Sequence, residues 1–325
     1  MPSTIEPAQL ADGLSLLDQL AAERGIELQQ DVAIGPLTTL RVGGAVDRFI
    51  EARTVDELVA ALEMALVARV PAGVIGKGSD LVVADAGVRG LVIRNRADAL
   101  HIDGAVVRAA SGAAMATVVK RCTAAALAGI EFGISIPGSV GGAVWANAGA
   151  HGGEMKDVVV SVDAWSPSGR AALPNAECAF AYRDSRFKAS GEIVLSATIL
   201  LVDGDAHGIA ARVADNQARR RETQPLADQN AGSVFRNPPG DHAGRLIDAA
   251  GLKGFRIGSA QVSTLHANFI VVDRGGSAAD VRSVGDHVRA TVADVHAVQL
   301  AYEIEFVGDW DPAGWATPTG RLAGT

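Results

Sequence analysis

Apolar side chains recur at spacings of three and four through residues 13–24 (GLSLLDQLAAER), which predicts a helix. Alternation over 46–52 predicts a strand, and Thr54 followed by Asp56 and Glu57 predicts a capped helix to about Arg69. Short apolar runs at 74–75, 88–94 and 105–110 read as strands, and 112–127 as a helix. Further on, 158–165 and 192–202 are strand-like, 207–222 is helical with Pro225 behind it, and 243–250 is a short helix closed by Gly251. Residues 262 and 266–272 are strand material, Ser277 caps a long helix to about Val295, and 300–307 (LAYEIEFV) form a last strand. Short strands mixed with a few helices predict an α+β chain. Residues 36–203 group as one unit in two lobes, and 204–308 as a C-terminal α+β domain.

Composition narrows the function classes. A chain of 325 residues can bury the cores of two or three domains. Its net charge of −8 argues against nucleic acid or an anionic membrane as the main partner. It has no 18-residue apolar segment, so no membrane span is expected, and the start MPSTIEPAQLADG lacks the marks of a signal peptide. Cys122 and Cys178 are the only cysteines and fit no metal spacing, which suggests a reducing compartment and a cytoplasmic protein. The seven histidines include no i, i+4 pair with a nearby acid, so no catalytic metal is expected. Residues 309–325, rich in Pro, Gly and Ala, read as a flexible tail. The oligomeric state stays open, with a monomer slightly preferred.

Candidate chemistry begins at residues 132–157, FGISIPGSVGGAVWANAGAHGGEMKD. Seven of the first 22 residues there are Gly, against 37 in the whole chain, so the enrichment is local. These glycines sit among Ile, Val, Ala and Trp rather than in a polar linker. Such a stretch suits either close packing or a nest of N–H groups around a phosphate. A second loop, Gly76-Lys77-Gly78-Ser79-Asp80-Leu81, superficially resembles a dinucleotide fingerprint. It lacks the third Gly, and the strand-like run Leu81-Val82-Val83 follows where a Rossmann unit needs a helix, so that fold is rejected. The run Arg219-Arg220-Arg221 reads as a solvated helix face.

The ordered motifs RVGG, GKGSDL, IPGSVGGAVWANAGAHGGEMKDV, YRDSRFK, AGSVFRNP, AGLKGFRIG, HANFIV and LAYEIEFVG resemble the UDP-N-acetylenolpyruvoylglucosamine reductase family over about residues 30–308. The short connection from Phe187 to Glu192 resembles the family's second type, which lacks a tyrosine-bearing insertion. The resemblance implies a two-lobed FAD-binding unit of the vanillyl-alcohol-oxidase (PCMH) type plus a C-terminal α+β substrate-binding domain. The expected divisions are a 1–29 helical extension, lobe 1 at 30–96, lobe 2 at 97–203, the substrate domain at 204–308 and the 309–325 tail. It also implies FAD as cofactor, NADPH as reductant and a UDP-sugar substrate.

By the same resemblance, three residues carry the chemistry. Arg183 would stabilise developing negative charge, Ser233 would donate a proton, and Glu303 would hydrogen-bond the substrate carboxylate. Glu305 shares the strand parity of Glu303, so alternation alone does not choose between them. FAD is expected on Gly76, Gly78, Ser79, Asp80 and Leu81 and on Pro137, Gly138, Ser139, Gly141 and Gly142, with Asn147 and Gly149 beside the ring system. Asn237 is a candidate substrate contact. The chain departs from the family pattern at Asp80, where Asn is general, at Thr223, where Lys is common, and at Glu305, where Arg is frequent.

Overall fold

The amphipathic start of the chain forms helix α1 (Pro7–Glu23), whose Leu17 and Ala21 pack into a core shared with helix α2 (Val55–Ala68). The computed structural model describes residues 6–310. Strands β1 (Gln29–Ala33), β2 (Ala45–Ala52) and β3 (Ala72–Ile75) belong to the first lobe, with β4 (Leu81–Val83) and β5 (Val88–Asn95). Four of them form a sheet in the order β1-β2-β5-β3, in which β2 and β3 both run parallel to the central β5. Thr54 caps α2 through its side chain, accepting from the Glu57 N–H, as the Thr-x-x-Glu pattern predicts.

The second lobe contains β6 (Leu100–Asp103), β7 (Val106–Ala110), α3 (Met115–Ala124), α4 (Val140–Trp145), β8 (Val159–Ser166), β9 (Gly169–Pro174), α5 (Arg186–Ser190) and β10 (Ile193–Leu200). Its five strands make an antiparallel sheet in the order β9-β8-β10-β7-β6. Helix α3 is shorter than the helix expected over 112–127. A Cβ on Gly112 would press on the Ala97 backbone at 2.7 Å, and Leu127 leaves the helix to pair with Asp203. Helix α4 lies inside the glycine stretch, where residue spacing predicted no helix.

Helix α6 (Ala206–Thr223) leads into the last domain, made of α7 (Ala243–Ala249), β11 (Ala260–Val262), β12 (Ile270–Val272) and α8 (Ala278–His296). Strands β11 and β12 are flanked by the two-residue strands Arg256–Ile257 and Gln229–Asn230 in one antiparallel sheet. Ser277 caps α8 as the sequence predicts, accepting from Ala279 and Asp280.

The end of the chain departs from expectation. Only Glu305–Val307 is a strand, β13, and it pairs in parallel with β4 of the first lobe rather than with the C-terminal sheet. Residues before it are held by a bridge between Phe235 and Tyr302, whose rings stack at 5.0 Å. A second link between first and last domains is Asp85, which accepts from the Ser277 hydroxyl and from the Ala278 and Ala279 N–H groups at 2.7–3.0 Å. Of the expected tail, residues 311–325 lie outside the described residues.

Candidate active site

The two glycine loops meet. A Cβ on Gly76 would fall on Ser139 Oγ, one on Gly138 would sit 3.2 Å from Ser79 Oγ, and one on Gly141 would touch Ser111 at 2.9 Å. Gly78 adopts φ +59°, and a side chain there would strike the Thr38 backbone at 2.8 Å. Glycine is therefore a steric requirement of this junction. Val140 and Gly141 spend their N–H groups on Ala113 and Ser111 carbonyls, whereas those of Gly138 and Ser139 have no protein acceptor among the described residues.

This junction is one wall of a cavity of about 1470 Å³. Its volume exceeds the ~300–1,000 Å³ of a typical small-ligand pocket, so it has room for a dinucleotide beside a second ligand. Gly76 through Leu81 line it, as do Pro137, Gly138, Ser139, Gly141, Gly142 and Gly149. Arg183, Ser233, Glu303 and Glu305 line it too, so residues far apart in the chain share one space.

Local backbone explains how they meet. Arg183 sits at φ +53° in a tight turn closed by reciprocal hydrogen bonds between Ala181 and Asp184. Few non-glycine residues adopt that conformation, and surrounding bonds hold it. Its Nε donates to Glu303 Oε1 at 2.9 Å and its Nη2 to the Gly149 carbonyl at 2.7 Å. Ser185 anchors the same turn by donating to the Trp145 carbonyl at 2.6 Å. Gly232 takes φ +78° and Val234 accepts from the Glu303 N–H at 2.8 Å, which brings the Ser233 backbone close to Glu303. Thr39 of the RVGG region ties the loops together, with its hydroxyl donating to the Asn230 carbonyl at 2.7 Å and its N–H to the Gly78 carbonyl at 2.9 Å.

The electrostatics of this wall are unusual. Burial pushes the Glu303 carboxyl above its ordinary pKa, opposed by Arg183, Lys188 and Arg236. Glu305 is raised by burial as well, against Lys188 and Arg236. Asp80 is pushed well above the usual range by burial and then by Glu303. The Nε of Arg236 is enclosed without a hydrogen-bond partner among the described residues.

Two expected contacts lie elsewhere. Asn147 is fully buried, and its amide donates to Glu154 and to the Ala181 carbonyl while accepting from the Lys156 N–H. That side chain braces the Arg183 turn and does not line the cavity. Asn237 is also outside the cavity lining; its Oδ1 accepts from the Ala243 N–H at the start of α7. Conversely, Arg220 breaks the expected solvated face. Arg219 and Arg221 are exposed, but Arg220 turns into the cavity and donates to Gln224, with burial disfavouring its charge. Helical spacing within the Arg run was the available signal. Lys188, buried beside Glu305, entered the sequence reading only as the last residue of the YRDSRFK motif.

The cradle suits a phosphate-bearing flavin. Its glycines admit close approach, the N–H groups of Gly138 and Ser139 have no protein acceptor among the described residues, and the hydroxyls of Ser79 and Ser139 lie at the junction.

Comparison with known proteins agrees. Residues 46–172 match the family model described as an FAD binding domain, and residues 224–307 the one described as the UDP-N-acetylenolpyruvoylglucosamine reductase C-terminal domain. The chain is 40% identical over 284 residues to UDP-N-acetylenolpyruvoylglucosamine reductase 2 of Symbiobacterium thermophilum, covering 86% of this chain and 91% of that protein. It is 38% identical over 275 residues to the Bacillus subtilis reductase, covering 83% and 91%. Among solved structures, the UDP-N-acetylenolpyruvylglucosamine reductase of Thermus caldophilus superposes with a TM-score of 0.75 at 33% identity, over 86% of this chain and 98% of that one.

Proposed function

The chain belongs to the UDP-N-acetylenolpyruvoylglucosamine reductase family, and on that premise we propose that Arg183, Ser233 and Glu303 carry its reaction. The protein is an FAD-containing oxidoreductase that uses NADPH to reduce the enolpyruvyl group of UDP-N-acetylenolpyruvoylglucosamine, giving UDP-N-acetylmuramate for peptidoglycan synthesis. The observation that supports the residue roles best is the convergence of all three on one cavity, with Arg183 bonded to Glu303 at 2.9 Å.

FAD, when bound, supplies hydride to C3 of the enolpyruvyl group after accepting it from NADPH. Gly76–Leu81 and Pro137–Gly142 would hold its phosphates, and Gly149 would flank its ring system. The protein's own residues manage the charge and the proton. Negative charge builds at C2 and spreads onto the substrate carboxylate. The Arg183 guanidinium, permanently charged and held by two directed hydrogen bonds, would stabilise that charge as it develops. Glu303, raised by burial, retains its proton to higher pH than a free glutamate and so donates a hydrogen bond to that carboxylate. Ser233 Oγ, which makes no hydrogen bond within the protein among the described residues, is free to give its proton to C2. Arg183 and Glu303 would lower the barrier to hydride addition by stabilising the charge it creates, before Ser233 protonates C2. The substrate domain would extend over 204–308 and the flavin lobes over 30–96 and 97–203, with NADPH and the UDP-sugar using the cavity in turn. A cytoplasmic monomer completes the reading. Cys122 and Cys178 are both buried free thiols, and among the described residues no helix is long and apolar enough to cross a membrane.

Stopped-flow separation of the half-reactions tests the roles. Ser233→Ala should leave flavin bleaching by NADPH within a few-fold of wild type. It should slow recovery of colour on adding the enolpyruvyl substrate by about 10²–10⁴-fold. Equal loss of both half-reactions contradicts the proton-donor role.

A further inference from the structure

Lys188 is 7% exposed, in a class of residue that is almost never buried without a partner. It lies on α5, directly after Phe187, which is itself 1% exposed. Its Nζ stands 3.4 Å from Glu305 Oε1 and 4.1 Å from the centre of the Trp145 ring. Trp145 and Glu305 both line the cavity, whereas Lys188 does not. The ammonium therefore sits behind the wall and acts through what it holds.

Three carboxyls crowd that wall. Parallel pairing of β13 with β4 sets Glu305 opposite Leu81, and the Glu305 N–H donates to the Asp80 carbonyl at 2.9 Å. Glu303, two residues earlier, takes Arg183 as its partner. Lys188 bears on all three carboxyls, drawing each toward its ionised form. Arg183 also faces Asp80 and Glu303, Arg236 faces Glu303 and Glu305, and Asp184 adds a negative charge against Glu305.

We propose that Lys188 is a positioning residue of the active site: a buried counter-charge, clamped on Trp145, that holds Glu305 beside Asp80 and leaves Glu303 as the carboxyl that meets Arg183 and the substrate. The part concerning substrate rests on the role proposed for Glu303; the counter-charge itself does not.

Two measurements on the full chain separate these parts. The first is the pH profile of flavin reoxidation by substrate, whose basic limb reports loss of the Glu303 proton. A neutral residue at 188 removes a charge that favours ionised Glu303, so in Lys188→Met the limb should move about one unit to higher pH. Lys188→Arg should hold it in place, and the isosteric neutral pair K188M/E305Q should bring it back toward wild type. The second is the pH dependence of Tm for the flavin-free protein. Carboxyls whose folded pKa is raised cost the fold stability as pH rises through that value. K188M should therefore lose more Tm at pH 8 than at pH 5, and K188M/E305Q should lose the excess.

A limb that stays put in K188M, or a Tm loss equal at both pH values, overturns the proposal and leaves Lys188 as packing. Should wild type show no basic limb, the role of Glu303 fails instead, and the Tm series alone decides the counter-charge. Should K188M fail to fold, E305Q serves: an uncompensated Lys188 must move the limb to lower pH, and an unmoved limb overturns the proposal.

Discussion

Arg183 does two jobs with one guanidinium, and both need its planar fork. Nε reaches Glu303 while Nη2 reaches the Gly149 carbonyl in the glycine stretch. An ammonium keeps the charge but cannot hold two partners in fixed directions. Arg183→Lys should slow flavin reoxidation by about 10²-fold, the cost of losing one well-placed donor to developing charge, with reduction by NADPH changed only a few-fold. Because the charge survives, the basic limb of the pH profile should stay close to its wild-type position. Stopped-flow traces across pH check both statements. Which residues face the cavity was partly readable beforehand. Arg183, Ser233 and Glu303 were identified by motif, and the structure places them together. Asn147 and Asn237 were not distinguishable from ligand contacts, because an amide serves a backbone turn as well as a cofactor. Only the positive φ of Asn147 and the approach of Ala243 to Asn237 show where those amides are used.

At the scale of elements, the loop from β3 to β4 and the lead into α4 work as one part. Gly76 is the point where they press together, with Ser139 where its side chain would be. Gly76→Ala must displace that serine or the loop, and both are parts of the proposed phosphate cradle. The variant should fold, since the contact lies in the cavity wall and not in a hydrophobic cluster. It should release FAD at least tenfold more readily, read as recovery of flavin fluorescence on dilution. Retention of flavin at wild-type affinity contradicts this assignment of the cradle. Periodicity located most elements within a few residues but missed α4. Its six residues include two glycines, poor helix formers, of which Gly141 is required by close packing against Ser111. Alternation likewise showed which residues of the last strand share a face, yet said nothing of its partner. Long-range pairing depends on the whole topology rather than on local pattern.

For the whole molecule, two junctions help set how the last domain stands on the first lobe. One is the β4–β13 pair; the other is Asp85 on the first turn of α8. A carboxylate at a helix N-terminus accepts from otherwise unpartnered N–H groups and meets the positive end of the dipole. Asp85 is exposed, so its worth is modest, about 1–2 kcal/mol by analogy with capping residues. Asp85→Ala should lower Tm by roughly 2–5 °C, measured by calorimetry, and leave flavin content unchanged because the residue lies outside the cavity lining.

The placement of β13 also bears on how the protein is made. Synthesis runs from the N-terminus, and domains tend to fold in that order. Here, however, the strand β4 that continues from the Gly76–Leu81 loop finds its neighbour only in Glu305–Val307, among the last of the described residues. A nascent chain that has not yet reached residue 305 can assemble the β1-β2-β5-β3 sheet but not this pairing. The cofactor pocket is thus closed last, by the same residues that bring Glu303 and Glu305 to it. A flavin that bound early would meet a half-built wall, and the arrival of the final strand couples holding the cofactor to being able to use it.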